Sequence, residues 1–378
     1  MEGSTASELR FRDLRTPAEI EALAADWDAL VTSSRRPSPY LLAGWVACWL
    51  REFGDEFDPC ITVATRGQRI VGIAPFVVRR STRIAHFVGA HESSLADLQL
   101  APDEGPATAE ALLAPLERSG ASSLNAYGVP GDSVLMRTAG KHLRCIPRAG
   151  APVLEMPEGW EAAYARCASK DRRSKDRRVE GRLKALGSVE IVVTHDARGV
   201  EEAIGAALEL HRLRWQGRPD GSSFGLARRA GFMRSAVTQL AAEGRYGICL
   251  VRLDGRAVSF ASWFRIGATI YGHRTAFDPE FARFAPGQIA QRHGFSASSA
   301  EGATRLEFLG DADEYKRRFA DRLDPMHQCV GLARGLSGHV QVARVVGAIE
   351  ARKRLKKYDR IHRLYRSGAL HGRGERAA

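Results

Sequence analysis

The sequence lacks the features that define several large classes of protein. Its six cysteines are scattered, with no C-x-x-C pair and no cysteine-histidine cluster at metal-ligand spacing, so neither a disulfide framework nor a zinc site is expected. No run approaches the roughly 20 apolar residues that a membrane-spanning helix needs. Residues 1–8 lack the basic and apolar regions of a signal peptide. We therefore expect a cytoplasmic protein with reduced thiols and no metal ion.

Length and composition predict two globular domains. The chain has 378 residues, of which 44% are hydrophobic and 26% charged, which is typical of a soluble globular protein. A single core rarely grows beyond about 250–300 residues, so the chain is expected to divide into domains of about 150–200 residues.

The net charge of +12 is concentrated in two segments. Residues 166–184 carry nine Lys or Arg against three Asp or Glu, and residues 350–376 carry ten against three. Two basic helices would suit an anionic partner such as cofactor phosphates, a tRNA or an anionic surface. Solvated helix faces are the alternative for each segment.

One stretch, residues 268–316, has the pattern of a phosphate-binding unit. An apolar strand-like run (268–278) is followed by a loop with Pro286 and Gly287, a helical segment (288–300) and a second short strand (305–309). Such a unit presents backbone N–H groups at a helix N-terminus, where a phosphate can bind. A purely structural crossover would show the same pattern.

The two halves of the chain have similar predicted architecture. Each contains helices, then a hairpin with a glycine turn, then a strand, a helix and a strand; the turns are centred on Gly67 and Gly255. We also predict one long polar helix from Trp160 to Leu186, a helix from Pro17 to Val31 and a closing strand from Met326 to Ala333.

Several loose motifs, in order along residues 10–335, resemble the CelD-like branch of the GNAT acyltransferase superfamily, a neighbour of the Fem-type peptidyltransferases. In the second half they are Ser169-Lys170-Asp171-Arg172-Arg173, Leu210-His211-Arg212-Leu213-Arg214-Trp215, Val251–Phe264, Ala276-Phe277-Asp278-Pro279-Glu280, Ala285-Pro286-Gly287, Phe308-Leu309-Gly310-Asp311 and Tyr315-Lys316. In the first half they are Trp27-Asp28-Ala29-Leu30, Trp45-Val46-Ala47-Cys48-Trp49 and Gly72-Ile73-Ala74-Pro75-Phe76.

The resemblance implies an α/β fold of mixed α+β sheets, with two tandem GNAT-like domains and a basic C-terminal helical tail. We place an N-terminal GNAT-like domain at 1–150, a C-terminal GNAT domain with the acyl-donor site at 151–335, and the tail at 336–378. In that fold the fourth and fifth strands part, and the pantetheine of an acyl-CoA lies in the gap.

The resemblance also implies a donor site in the second domain. Its residues belong to the fourth strand or to the loop and helix N-terminus that follow: Thr275, Ala276, Phe277, Arg283, Pro286, Gly287 and Gln288. The family's glycine-rich loop is reduced here to one glycine, and Pro286 removes a donor N–H. This departure leaves an aminoacyl-tRNA donor open beside acyl-CoA.

Acyl transfer to an amine needs a base, a group that stabilises the oxyanion, and an acid for the leaving thiolate. Asp311 follows the fifth strand and is the candidate base, although it could also cap the next helix with Glu314 at the capping-box offset. Tyr315 is the candidate acid or a core residue. His273 is a second candidate base or a structural histidine.

Three cations are candidates for substrate binding. Arg172 and Arg173 on the first basic helix could contact phosphate or an anionic sugar, and Lys316 could hold an acidic acceptor. The expected activity is acyl-CoA-dependent transfer of an acyl group, acetyl above all, to an amine of an amino sugar or amino-acid-like acceptor, in polysaccharide biosynthesis or metabolite assembly. A Fem-like aminoacyl-tRNA-dependent transferase and a non-catalytic GNAT-like binding module are the alternatives.

Overall fold

The computed structural model describes residues 8–89, 92–216, 226–310 and 314–366, with the backbone alone described at 314–315, 352–353 and 355–366. The first part of the chain forms β1 (Leu9–Leu14), α1 (Pro17–Glu21), α2 (Ala24–Ser33), α3 (Ala43–Phe53), β2 (Phe57–Arg66), β3 (Arg69–Arg79), β4 (Ile84–Phe87), β5 (Gln99–Leu100), α4 (Pro106–Arg118), β6 (Ser123–Pro130), α5 (Val134–Ala139) and β7 (Leu143–Pro147).

The second part forms β8 (Ala151–Glu155), α6 (Trp160–Cys167), α7 (Lys170–Lys184), β9 (Val189–Thr194), α8 (Ala197–Trp215), α9 (Ala227–Ala242), β10 (Tyr246–Leu253), β11 (Arg256–Ile266), β12 (Thr269–Phe277), α10 (Pro286–Ala300), β13 (Arg305–Glu307), α11 (Glu314–Arg317), β14 (Arg322–Asp324), β15 (Met326–Gly331) and α12 (Gly335–Arg366). Short 3-10 helices cover Pro39–Leu41, Gly140–His142 and Pro279–Phe284.

The strands form two sheets of the same topology. The first has the order β1-β2-β3-β4-β6-β15-β7, with β5 paired to β3, and the second has the order β14-β8-β13-β12-β11-β10-β9. Counting strands from the β1 or β9 edge, the fourth and fifth strands pair in parallel in each sheet, and the other pairs are antiparallel. The predicted mixed α/β fold of two similar units is therefore confirmed.

The two sheets exchange their sixth strands, counted from the β1 and β9 edges. β8 follows the seven strands of the first part of the chain but pairs with β13 and β14 in the second sheet. In return, β15 leaves the second sheet and pairs with β6 and β7 in the first. Strand β15 lies within the segment that the sequence assigns to the second domain; the domain boundaries themselves stay a prediction.

One continuous apolar core joins the two halves. Helix α3 packs against α9, and the buried ring of Trp45 on α3 meets Phe232 on α9 and Phe264 on β11, with ring centroids 4.9 and 5.4 Å apart. Burying a large aromatic side chain stabilises a fold by about 1.5–3 kcal/mol. The halves are thus held together by core packing and not only by surface contacts.

Two predicted helices are wrong in their extent. The predicted helix from Trp160 to Leu186 is broken, because α6 ends before Ala168 and Ser169 begins α7 by accepting a hydrogen bond from the Arg172 N–H. The predicted helix from Pro17 to Val31 is divided into α1 and α2 at Ala22 and Leu23. None of the helices in the described ranges combines the length and apolar character that crossing a lipid bilayer requires.

Candidate functional site

The fourth and fifth strands of the second sheet part after three residue pairs. Strand β12 pairs with β13 from Thr269 to Tyr271, and the rest of β12 has no strand on that side among the described residues. β13 ends at Glu307, and two consecutive residues with left-handed backbone, Leu309 (φ 50°) and Gly310 (φ 62°), then redirect the chain. Because β12 stays paired with β11 on its other side, alternate residues within 272–277 turn their N–H and C=O groups to the open edge, where a ligand between the strands could bind them.

A β-bulge lies at the point where the strands part. Gly272 pairs with Trp263 and Arg274 pairs with Ser262, so His273 is the extra residue on β12. A bulge bends its strand and redirects a side chain, and bulges are common beside active sites. Gly272 lies close to the end of β13, because a Cβ there would be 3.5 Å from the Cα and the carbonyl oxygen of Phe308, the residue that follows β13.

The N-terminus of α10 lies against the far end of the open edge. Ala285 has left-handed backbone (φ 45°), and Pro286 then opens the helix and accepts a hydrogen bond from Ser259 through its carbonyl oxygen at 2.8 Å. Gly287 is buried, and a Cβ there would lie 3.3 Å from Thr275 Oγ1 and Phe277 Cδ1. The structure therefore brings together predicted donor-site residues from β12 and α10.

This helix N-terminus has few donors for a phosphate. Pro286 has no N–H, and the N–H of Gln288 donates to the Ala285 carbonyl at 2.9 Å. Gly287 is the first-turn residue whose N–H could face an anion. Arg283 is exposed beside this turn, with its guanidinium 4.7 Å from the ring centre of Phe284.

The basic helix α7 packs against the same turn. Arg172 Nη2 donates to Gln288 Oε1 at 2.5 Å, and Arg172 Nε is 3.0 Å from Asp176 Oδ1 on its own helix. Glu180 joins α7 to α10 more firmly, since its carboxylate meets Arg292 Nη2 at 2.9 Å and His293 Nε2 at 3.2 Å. The hydrogen bond with His293, together with Lys184 and Arg292, holds the pKa of Glu180 far below its usual value despite partial burial.

The other two cations predicted to bind substrate contact the protein backbone. Arg173 Nη1 donates to the carbonyl oxygens of Ala165 and Ala168, at 2.8 and 3.2 Å, at the C-terminal end of α6. Lys316 Nζ donates to the Leu309 carbonyl at 2.9 Å and thus holds the turn that follows β13. Their contact with a substrate stays a prediction.

His273 lies against a group of aromatic rings from both halves. Its Nδ1 is 3.0 Å from the hydroxyl oxygen of Tyr246, and its ring is 4.5 Å from that of Phe264 between centroids. Its Nε2 is shut off from water and has no hydrogen-bond partner among the described residues. Burial, helped by the positive charge of Arg274, lowers the pKa of His273 well below its usual value, so the imidazole is neutral near pH 7.

Two of the three predicted catalytic residues are not described as side chains. Asp311 lies outside the described residues, and Tyr315 is described only as backbone within α11. Their roles as base and acid stay predictions.

A buried charged cluster beside the bulge was missed by the sequence reasoning. Glu92, which follows β4 in the first half, is 4% exposed, and its Oε2 accepts a hydrogen bond from Arg274 Nη2 at 3.1 Å. Its Oε1 is 3.6 Å from Nε of Arg229 on α9. Nearby His211 on α8 is 5% exposed, and burial lowers its pKa to about 4. Only His211 had a sequence signal, as part of a motif quoted for the resemblance.

The arrangement is suited to a reaction at a ligand held along the open edge of β12. The edge offers backbone hydrogen bonds, α10 and Arg172 offer positive potential at one end, and the neutral imidazole of His273 lies at the other. No group of three or more candidate metal ligands occurs among the described residues.

Comparison with known proteins gives a family match for the part of the chain that contains this site. A family model for an acetyltransferase (GNAT) domain matches residues 170–317. A search of curated proteins gives no match.

Solved structures share the fold over most of the chain. FemX is 13% identical with a TM-score of 0.54, covering 84% of this chain and 96% of that chain. A tandem GNAT protein from the clavulanic acid biosynthesis pathway is 14% identical with a TM-score of 0.51, covering 86% of this chain and 98% of that chain. L-PGS from Bacillus licheniformis is 11% identical with a TM-score of 0.53, covering 90% of this chain and 99% of that chain. Residues 170–317 are thus a domain of the GNAT acyltransferase superfamily, in a chain whose fold is similar to those of FemX and of a tandem GNAT protein.

Proposed function

We propose that this protein is an acyl-CoA-dependent N-acyltransferase that transfers an acyl group, acetyl above all, to an amine. The observation that carries the proposal is the open edge of β12 after Tyr271, with the N-terminus of α10 at its far end. An extended pantetheine needs such a row of backbone groups, and a pyrophosphate needs positive potential beyond it. The GNAT family match over residues 170–317 supports the same reaction class.

In the proposed complex, the donor lies along Thr275, Ala276 and Phe277, and its phosphates lie near Gly287. Arg283 is exposed beside that turn and Arg172 is bonded to Gln288 within it, so both cations lie where they would counter phosphate charge. Pro286 and the bonded N–H of Gln288 reduce the number of backbone donors, so side-chain cations carry more of the anion binding here.

The chemistry is direct attack. The acceptor nitrogen loses a proton to a base and bonds to the thioester carbon; the carbon–sulfur bond then breaks and the thiolate takes a proton. Asp311 is the proposed base and Tyr315 the proposed acid, with His273 as the second candidate base. Lys316 is proposed to bind an acidic group of the acceptor, in addition to holding Leu309.

The proposed acceptor is an amino sugar or an amino-acid-like amine, in polysaccharide biosynthesis or metabolite assembly in the cytoplasm. The proposed domains are 1–150, 151–335 and the basic tail 336–378. In this division the donor site belongs to the second domain.

A second function, aminoacyl transfer from a charged tRNA, is favoured by the surface of α7. Lys175, Arg177, Arg178 and Arg182 are exposed, and the described residues provide no ion-pair partner for them. Such a face suits the phosphates of an RNA, whose binding would depend steeply on salt.

Calorimetry with acetyl-CoA, with longer acyl-CoAs and with aminoacylated tRNA tests the two functions. We expect saturable binding of an acyl-CoA in the micromolar range, about −8 kcal/mol. Binding of charged tRNA alone would instead support the Fem-like transferase. Binding of none of these donors would leave a non-catalytic module.

A further inference from the structure

The first half of the chain reaches the bulge of β12 through a buried carboxylate. Glu92 lies in the segment between β4 and β5, and its side chain is 3% exposed. One carboxylate oxygen accepts a hydrogen bond from Arg274 at 3.1 Å, and the other is 3.6 Å from Arg229. Both oxygens therefore face guanidinium groups of the second half.

Arg274 is the residue that follows the bulge residue. Because His273 is the extra residue between the paired Gly272 and Arg274, its backbone is not fixed by a partner on β11. The direction of its ring then depends on the residues on each side and on the rings that it touches. On its C-terminal side, Arg274 is fixed by Glu92.

The first half also supplies rings that pack on His273. Tyr40 and Trp45 lie edge-on to the imidazole, with centroids 6.4 and 6.0 Å away. Trp45 is fully buried, and its indole N–H has no acceptor among the described residues. The imidazole thus packs among rings from both halves, with Phe264 and Tyr246 of the second half also close to it.

The ion pair is buried on its carboxylate side, since the side chain of Glu92 is 3% exposed and that of Arg274 is 30% exposed. Desolvating Glu92 offsets much of the attraction between the two charges, so the pair sets geometry more than it adds stability. The burial that raises the pKa of Glu92 is opposed by both arginines. Both oxygens are engaged, so Glu92 is placed to orient Arg274 and not to accept a proton from a substrate.

We propose that Glu92 is a positioning residue for the second domain: by holding Arg274 across the boundary between the halves, it fixes the bulge of β12 and the orientation of the His273 imidazole. The first half of the chain then contributes a positioning residue to the site. The effect on turnover rests on the proposed transferase function, but the effect on the imidazole does not.

Two variants separate positioning from general support of the interface. Glu92→Gln removes the charge beside the bulge. Glu56→Gln is the matched control, since Glu56 pairs across the same boundary with Arg228, the neighbour of Arg229, at 3.1 Å and lies away from β12. Melting temperature and circular dichroism establish that both variants fold, and Glu92→Asp serves if Glu92→Gln does not.

The deciding measurement is the ¹⁵N spectrum of the histidine side chains, with the His273 signals identified by their loss in His273→Gln. We expect Glu92→Gln to shift the His273 ring nitrogens and Glu56→Gln to leave them unchanged. Unchanged His273 signals in folded Glu92→Gln, or equal shifts in both variants, would overturn the proposal.

Turnover gives the functional arm, with acetyl-CoA as donor and glucosamine as the probe amine. We expect Glu92→Gln to lower kcat by a factor no larger than that of His273→Gln, without changing the acetyl-CoA dissociation constant, because it acts through the placement of that ring. In a double-mutant cycle, Glu92→Gln should add little to the loss caused by Arg274→Gln. Independent, additive losses of turnover would contradict action through Arg274.

Absence of turnover in the wild type would count against the proposed transferase function. The His273 nitrogen signals would still decide whether Glu92 positions the imidazole.

Discussion

Arg172 Nη2 lies 2.5 Å from Gln288 Oε1 and so joins the basic helix α7 to the first turn of α10. Farther along the same two helices, Glu180 meets Arg292 and His293. The helix that bears the exposed cations is therefore fixed to the helix whose N-terminus faces the proposed donor. Changes that loosen α7 are expected to disturb the donor site as well as the stability of the fold.

The first prediction concerns the acid stability that Glu180 provides. Its pKa in the folded state is below the usual 4.5, chiefly because of the hydrogen bond with His293. As the pH falls below about 4.5, Glu180 binds a proton in the unfolded chain before it does so in the folded protein. The stabilisation of the fold by ionised Glu180, which is complete above that pH, is therefore lost progressively. Glu180→Gln should lower the melting temperature at pH 7 and flatten its decline toward pH 3.

Thermal melts between pH 3 and 7 measure this effect, with Glu201→Gln as the control. Glu201 is an exposed acid on α8 for which no ion-pair partner occurs among the described residues, so its replacement should leave the whole curve unchanged. If Glu180→Gln declines as steeply as the wild type, the acid sensitivity comes from other carboxylates.

The second prediction concerns the donor site at Gly287. Glutamate at this position would place its Cβ 3.3 Å from Thr275 and Phe277 and add a negative charge where the phosphates are proposed to bind. We expect Gly287→Glu to weaken acetyl-CoA binding at least 10-fold, or about 1.4 kcal/mol. Gly231→Glu is the matched control, because a Cβ on that α9 glycine meets nothing within 4 Å. Unchanged calorimetric affinity in a folded Gly287→Glu variant would place the donor elsewhere.

Local sequence patterns predicted most of the elements that position the site. The Asp254-Gly255 turn predicted the hairpin of β10 and β11, because two-residue turns with glycine match the twist of paired strands. The predicted helix after Pro286 begins at that residue, as proline favours the first helical position. The break at Ser169 was missed because no proline or glycine marks it, although serine is a favoured residue at the start of a helix.

Features that depend on contacts distant in sequence could not be predicted. The exchanged strands β8 and β15 find their partners in the other half of the chain, and β14 is only Arg322–Asp324, two charged residues around one leucine. His273 was predicted within a strand, but a bulge is visible only from the register with β11. Glu92 lies in a polar segment of the first half, and its contact with Arg274 spans 182 residues.

The third prediction concerns the exposed cations of α7. If the chain binds tRNA, each phosphate contact removed should reduce the slope of log K against log salt by about 0.7–0.9. Replacing Arg177, Arg178 and Arg182 by glutamine tests this helix, and deletion of residues 350–378 tests the basic tail. Filter binding of tRNA over a salt series is the measurement. Equal slopes for the wild type, the α7 variant and the tail deletion would mean that the basic surfaces of α7 and of the tail are exposed to solvent and bind no phosphate.

The fourth prediction concerns which residue, Asp311 or His273, is the catalytic base. Asp311→Asn keeps a side chain that caps a helix but removes a base, so turnover should fall by roughly 10²–10⁴ with little change in melting temperature. The pKa of His273 is well below 6.5, so its imidazole stays neutral as the pH falls through that value. The pH profile of kcat/KM should therefore show no change near pH 6.5 that is caused by protonation of His273. His273→Gln should then lower turnover less than Asp311→Asn does.

The measurement is release of free CoA from acetyl-CoA with glucosamine between pH 5 and 9. Near wild-type turnover in Asp311→Asn, together with a loss of 10² or more in His273→Gln, would transfer the role of base to His273 and leave Asp311 as a cap.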